Sequence, residues 1–156
     1  MTRALHAKGI VVVLGTALTL AAHAAVPAGT QLPVKAADKQ FFKMGDLKKV
    51  RFLVAASDSA DPESITSRLA GCTIEGDSAY NPRTGRLYVK NPVLTCSPET
   101  KMGAAFLGGS IMGQLSDSGL EGIRLDCPNP KECTMGSLKK DAEAAFTVTE
   151  TMGGGN

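Results

Sequence analysis

Four cysteines and two histidines are the residues most able to do chemistry in this chain, and they fall in different parts of it. His6 and His23 both lie in the first 24 residues, whereas Cys72, Cys96, Cys127 and Cys133 all come later. Arg3 and Lys8 give the N-terminus a basic start, residues 9–20 (GIVVVLGTALTL) form an unbroken apolar run, and Ala22-His23-Ala24 is a small-x-small site. That layout is the layout of a cleavable secretory signal. The run of about 12 apolar residues falls short of the roughly 20 that span a bilayer as a helix. The expectation is that residues 1–24 are removed and that the working chain begins near Ala25 in the periplasm, without His or Trp.

Loss of both histidines removes the usual general acid–base and the Ser–His or Cys–His nucleophile. The cysteines meanwhile enter an oxidising space, where an even number suggests two disulfides with three connectivities open. No pair stands at Cys-x-x-Cys spacing, which argues against a zinc knuckle, a thioredoxin-like redox pair and haem attachment. Carboxylate pairs exist at Asp58/Asp61 and Glu75/Asp77, but the first sits in a polar loop and the second on a hairpin face, so both read as solvated surface acids. Gly108-Gly109 lacks the spacing and Lys-Ser/Thr ending of a phosphate loop. The residues nominate no catalytic group, metal ligand or cofactor. A non-enzymatic role is expected, with a carboxylate hydrolase as the least favoured alternative.

The charge balance changes with processing. The full chain has 17 basic and 15 acidic residues, and removing Arg3 and Lys8 leaves 15 against 15. Nucleic-acid binders show a basic excess or stripe. Here Lys48-Lys49-Arg51 and Lys139-Lys140 are short local clusters, so nucleic acid is not an expected partner.

The elements that must position the cysteines start with a hairpin. Residues 73–80 and 86–95 are strand-like, and Asn81-Pro82-Arg83-Thr84-Gly85 between them is a turn signal. The second strand alternates, with Leu87 and Val89 on one face and Tyr88 and Lys90 on the other. Pairing the strands about the turn brings Cys72 and Cys96 together at the open end, given a bulge of one or two residues. A bridge closing such a loop stabilises by about 3 kcal/mol in the chain-entropy view. Cys127 and Cys133 then pair across Pro128-Asn129-Pro130-Lys131-Glu132, a small surface clasp presenting Lys131 and Glu132. The crossed pairings stay open.

Around the hairpin the pattern is weaker. Residues 26–35 read as an edge strand kept short by Pro33. Phe41-Phe42 reads as a core plug or short helix, and 50–56 (VRFLVAA) as a strand. Pro62 with Asp61 as cap suggests a short helix through Glu63, Ile65 and Leu69, ended by Gly71. Residues 102–115 (MGAAFLGGSIMGQL) are apolar and small, with Gly109 and Gly113 at the spacing that lets helices approach closely. A buried helix or loop and a contact segment using Phe106, Gly109, Met112 and Gly113 are both open there. Residues 120–125 read as a short strand. Residues 135–148 have helix-compatible apolar spacing at Leu138, Ala142, Ala145 and Phe146, with a last strand at 147–149 as the alternative. The expected fold is β-rich α+β: one disulfide-stapled periplasmic domain over 25–152, a hairpin at 72–96, one or two short helices, and a flexible tail at 153–156.

Three stretches resemble the TraB-type scaffold proteins of conjugative type IV secretion channels. They are Leu69-Ala70-Gly71-Cys72-Thr73-Ile74, Arg86-Leu87-Tyr88-Val89 and Leu94-Thr95-Cys96. Val26-Pro27-Ala28-Gly29-Thr30 is similar to the entry of that family's β-domain, and 102–115 is similar to its glycine- and alanine-rich helical stretch. The resemblance covers about half of the chain after residue 24. In place of the family's inner-membrane helix and long linker a cleavable leader is expected here, and the chain is short for the family's barrel-like domain. The resemblance implies a β-rich envelope protein that assembles with protein partners or further copies of itself, with peripheral membrane contact open. The alternative from the residues alone is a small secreted binding or inhibitory module that presents the 127–133 clasp.

Overall fold

Strict alternation of apolar and polar residues writes most of this structure. A computed structural model describes residues 25–57, 61–102, 109–129 and 131–153. In β1 (Gln31–Ala36) the buried residues are Leu32, Val34 and Ala36; in β3 (Lys49–Val54) they are Val50, Phe52 and Val54. The same period of two runs through β4 (Thr73–Asn81) and β11 (Glu143–Val148), and its phase shifts once within β5 (Arg86–Thr95), at a bulge; Ile74, Leu87, Leu94, Phe146 and Val148 join one core. Successive strand residues face opposite sides, so each of these strands has one dry face and one wet face.

The sheet order is β6-β5-β4-β3-β1-β11-β7-β8, with β9 also paired to β5. Every strand pair is antiparallel. The sheet curls until its ends meet. β6 (Gly109–Ser110) pairs with β5, and β7 (Gly113–Asp117), only two residues further on, pairs with β11. At the other end β8 (Leu120–Glu121) folds back on β7, and β9 (Ile123–Arg124) pairs with β5. Gly122, between them, donates its N–H to the Leu115 carbonyl of β7. The Ser116–Gly122 bridge links β7 to the start of β9, so the paired strands wrap round the core and leave only the two-residue strands β6 and β8 at the ends of the path. A separate two-stranded sheet, β2 (Gln40–Lys43) with β10 (Met135–Leu138), packs Phe42 and Leu138 onto that core. Gly136 permits this approach, since a Cβ there would come within 2.8 Å of the Leu125 side chain.

The β-rich, disulfide-stapled architecture agrees with the sequence reading, and the hairpin is where expected. Thr73 pairs with Thr95 and Asn81 with Arg86. The bulge falls between Glu75/Val93 and Asp77/Lys90, so β5 has one extra residue there. Asn91 takes up the irregularity with φ 48°, and Pro92 lies in the same bend.

Three expectations need correction. β1 lies between β3 and β11 instead of at an edge. Pro33 is tolerated because its carbonyl accepts from Ala55, just past the end of β3, so the absent N–H falls where the β1–β3 ladder has already ended. Residues 135–148 form β10 and β11 instead of a helix. Asp141 at φ 62° turns the chain between them, and the inward alternation of Phe146 and Val148 overrides the helical spacing. The one α-helix among the described residues, α1 (Ile65–Arg68), is a single turn capped by Ser64, which accepts from the Ser67 N–H. Asp61 instead accepts from the Glu63 N–H one step earlier. Gly71 ends the turn at φ 84°, as a C-terminal glycine should.

Candidate functional site: the hairpin ends and the disulfide clasp

Both preferred disulfides are present, Cys72–Cys96 and Cys127–Cys133, and the crossed pairings are not. Cys72 and Cys96 immediately flank the last register pair of β4 and β5, with Cα atoms 4.4 Å apart. Both are buried, and the Cys72 sulfur lies 3.9 Å from the Thr100 hydroxyl. The other bridge touches the opposite end of the same hairpin. Gly85, at φ 65° in the turn, faces the Cys127 and Cys133 sulfurs, which would lie 3.4 and 3.6 Å from an added Cβ. The Tyr80 hydroxyl donates to the Cys133 carbonyl and also contacts its sulfur. Burial there pushes the Tyr80 hydroxyl above its ordinary pKa.

The clasp is shaped by its own side chains. Asn129 accepts from the Lys131 N–H through Oδ1, at 3.1 Å, and from the Glu132 N–H through its carbonyl. Such Asx bonds replace secondary structure in short loops. Lys131 and Glu132 are left exposed at its tip. Asp126 at its base pairs backbone with Ser137 and holds Lys139 through a 2.6 Å ion pair. Two disulfides fit an oxidising, extracytoplasmic space. Among the described residues no helix is long and apolar enough to cross a membrane.

The contact segment is strand where it is described. Phe106 lies outside the described residues. Gly109 belongs to β6 and Gly113 opens β7, so neither supports a helix–helix approach. Their surroundings differ sharply. Among the described residues, an added Cβ at Gly109 would meet the Met152 methyl, at 3.5 Å, whereas one at Gly113 would meet the Phe146 ring at 2.3 Å and the Thr147 carbonyl at 2.6 Å. Gly113 is therefore a packing requirement, and Met112 beside it is exposed.

The carboxylate pairs sit as surface acids where they are described. Asp77 forms a 2.8 Å ion pair with Lys49 on β3. That bond, with a lesser contribution from Asn91, holds Asp77 below its ordinary pKa and raises Lys49. Asp46 is likewise lowered, chiefly by its bond to Lys48 and then by the Lys43 N–H. Asp58 lies outside the described residues. Among the described residues no cluster of three or more His, Cys, Asp or Glu could hold a metal.

Sequence reasoning missed an apolar surface. Phe41, read as a core plug, projects outward while Phe42 is buried. Period-two alternation in Gln40–Lys43 was the available signal, since adjacent strand residues cannot both face inward. No protein-family model matches the chain, and no curated protein sequence matches it.

Proposed function

We propose that this protein is a non-enzymatic structural component of an envelope assembly, in the manner of the TraB-type scaffolds of conjugative type IV secretion. The observation that supports the reading is the curled, β-rich sheet, because the resemblance implies a β-rich envelope protein. Three of the stretches behind that resemblance, 69–74, 86–89 and 94–96, belong to or adjoin one hairpin, formed by 73–81 and 86–95 and closed by Cys72 and Cys96. A curled, stapled sheet with a small core suits a part that must hold its shape while neighbours pack on it. Of the contact residues expected from the sequence, Gly109 and the exposed Met112 make up the proposed contact face, whereas Gly113 is given over to Phe146.

Crosslinking in intact cells tests this. The chain should be recovered in a large complex with copies of itself or with other envelope proteins; recovery solely as an uncomplexed monomer would overturn the reading. Gly109→Leu should weaken that complex while leaving unfolding nearly unchanged, because the described neighbour of the site, the Met152 methyl, lies at ordinary contact distance. Gly113→Ala should instead lower stability by about 1–3 kcal/mol through the Phe146 clash. If Lys131→Ala/Glu132→Ala abolishes partner capture and Gly109→Leu does not, the chain is a binding module that works through its clasp.

A further inference from the structure

The Cys127–Cys133 loop separates two depressions of opposite character. One, of about 220 Å³, lies between the 81–85 turn and the end of β9 and is lined by Arg83, Thr84 and Arg124. The other, of about 300 Å³, is an apolar groove against Phe41, Pro128 and Met135. Asp126 and Cys127 form a wall common to both.

The polar depression has an unbalanced charge. Arg124 stands directly across from Arg86 in the β5–β9 register, an arrangement that calls for counter-charge, and the Asp117 carboxylate beside them accepts from the Arg124 backbone N–H and not from its guanidinium. Arg86 is spent on the carbonyls of Leu120, Glu121 and Gly122, which cancel none of its charge. Neither Arg83 nor Arg124 has a side-chain ion pair or hydrogen bond among the described residues, although five ion pairs form elsewhere. The one carboxylate in the wall, Asp126, is occupied by Lys139.

The apolar groove continues into an exposed ridge. Phe41 is 52% exposed and Met135 38%, and the β2–β3 turn beside them leaves Met44 74% and Leu47 90% exposed. Lysines are interleaved with these residues. The Lys39 ammonium lies 5.3 Å from the Phe41 ring centre and Lys43 is the register partner of Met135, while Lys48, which donates to the Phe41 carbonyl, is already ion-paired with Asp46. Projecting apolar side chains set among cations are the pattern of a surface that rests in the headgroup region of an anionic bilayer.

We propose that this face docks on a membrane containing anionic phospholipid. A headgroup phosphate sits between Arg83 and Arg124, while Phe41 and Met135 enter the acyl boundary. Guanidinium forks match phosphate oxygens. A free anion would leave the adjoining groove idle, whereas an amphiphile uses both depressions. The inference does not depend on the assembly reading, since a lone copy would bind in the same way.

The test is flotation of the oxidised protein with vesicles of phosphatidylcholine alone and of phosphatidylcholine mixed equally with phosphatidylglycerol. Binding should require phosphatidylglycerol. Arg83→Gln/Arg124→Gln should weaken it by about fivefold per arginine, roughly 30-fold for the pair. Arg68→Gln/Lys101→Gln removes the same charge from the other end of the hairpin and should change binding by no more than about twofold on the same scale. Because the chain has no Trp, Phe41→Trp supplies a single reporter whose emission should shift to the blue on the mixed vesicles. Equal binding to both vesicles, equal loss from the two double variants, an unshifted Trp, or full displacement by inorganic phosphate would each overturn the proposal.

Discussion

The two disulfides grip opposite ends of one hairpin, and they differ in almost every physical respect. Cys72–Cys96 spans 24 positions of sequence and is buried with the core. Cys127–Cys133 spans 6 positions, belongs to neither hairpin strand, and presses on the turn from outside through Gly85 and Tyr80. On the chain-entropy scale the longer loop contributes about 3.5 kcal/mol and the shorter about 2.4. The first bridge therefore acts chiefly on whether the main sheet forms. The second acts on where the turn, the clasp and the β2–β10 sheet sit relative to one another, and so on the surface that the clasp divides.

Breaking the bridges separately tests that contrast. Cys72→Ala/Cys96→Ala should have the largest effect, lowering global stability by about 3–4 kcal/mol in denaturant unfolding. Cys127→Ala/Cys133→Ala should cost about 2 kcal/mol. Its loss of hydrogen-exchange protection should concentrate at 81–85 and 126–137 instead of spreading through the main sheet. A larger global loss from the second double variant than from the first would reverse the assignment of roles.

The smallest effect comes from the Lys49–Asp77 pair near the middle of the hairpin, where both partners are well exposed. Asp77 is held below the ordinary carboxylate value of 3.8, so the folded chain binds fewer protons than the unfolded one there. Its contribution is present above that value and is lost as the pH falls through the folded pKa. Lys49 is raised above 10.5, so its contribution holds below that value and is lost as the pH climbs through the folded pKa. Asp77→Asn should therefore flatten the acid limb of the stability curve slightly, and an unchanged acid limb would remove the pair from the account.

The legible parts of the fold were those set by short-range rules. The Asn81-Pro82-Arg83-Thr84-Gly85 turn and the alternation of its flanking strands fixed a register, and the register brought Cys72 to Cys96. Gly71 announced a positive φ. The illegible parts were those set by partners far away in sequence. β1 contains a proline and reads as an edge, yet the chain's last strand pairs beside it, Leu32 opposite Phe146. Residues 135–148 carry apolar residues at a spacing compatible with a helix, and only the pairing of β10 with β2 and of β11 with β1 and β7 chose strands. For the candidate site, the clasp and its exposed Lys131 and Glu132 were visible in advance. The role of Gly113 as room for Phe146 was not, since nothing in 102–115 indicates which aromatic ring will face it.

By itself, the sequence determined the chemistry available: cysteines that pair, no histidine beyond residue 24, balanced charge after that point, and strands of alternating character. Those are local or compositional properties, and they survive any arrangement of the strands. Only the tertiary structure decided that the sheet curls round the core, that Phe41 faces out while Phe42 faces in, and that Arg83 and Arg124 line one depression across the clasp from an apolar groove. Each of these depends on contacts between segments tens of residues apart, and the free energy of such contacts comes from shared burial and register, which no single segment encodes.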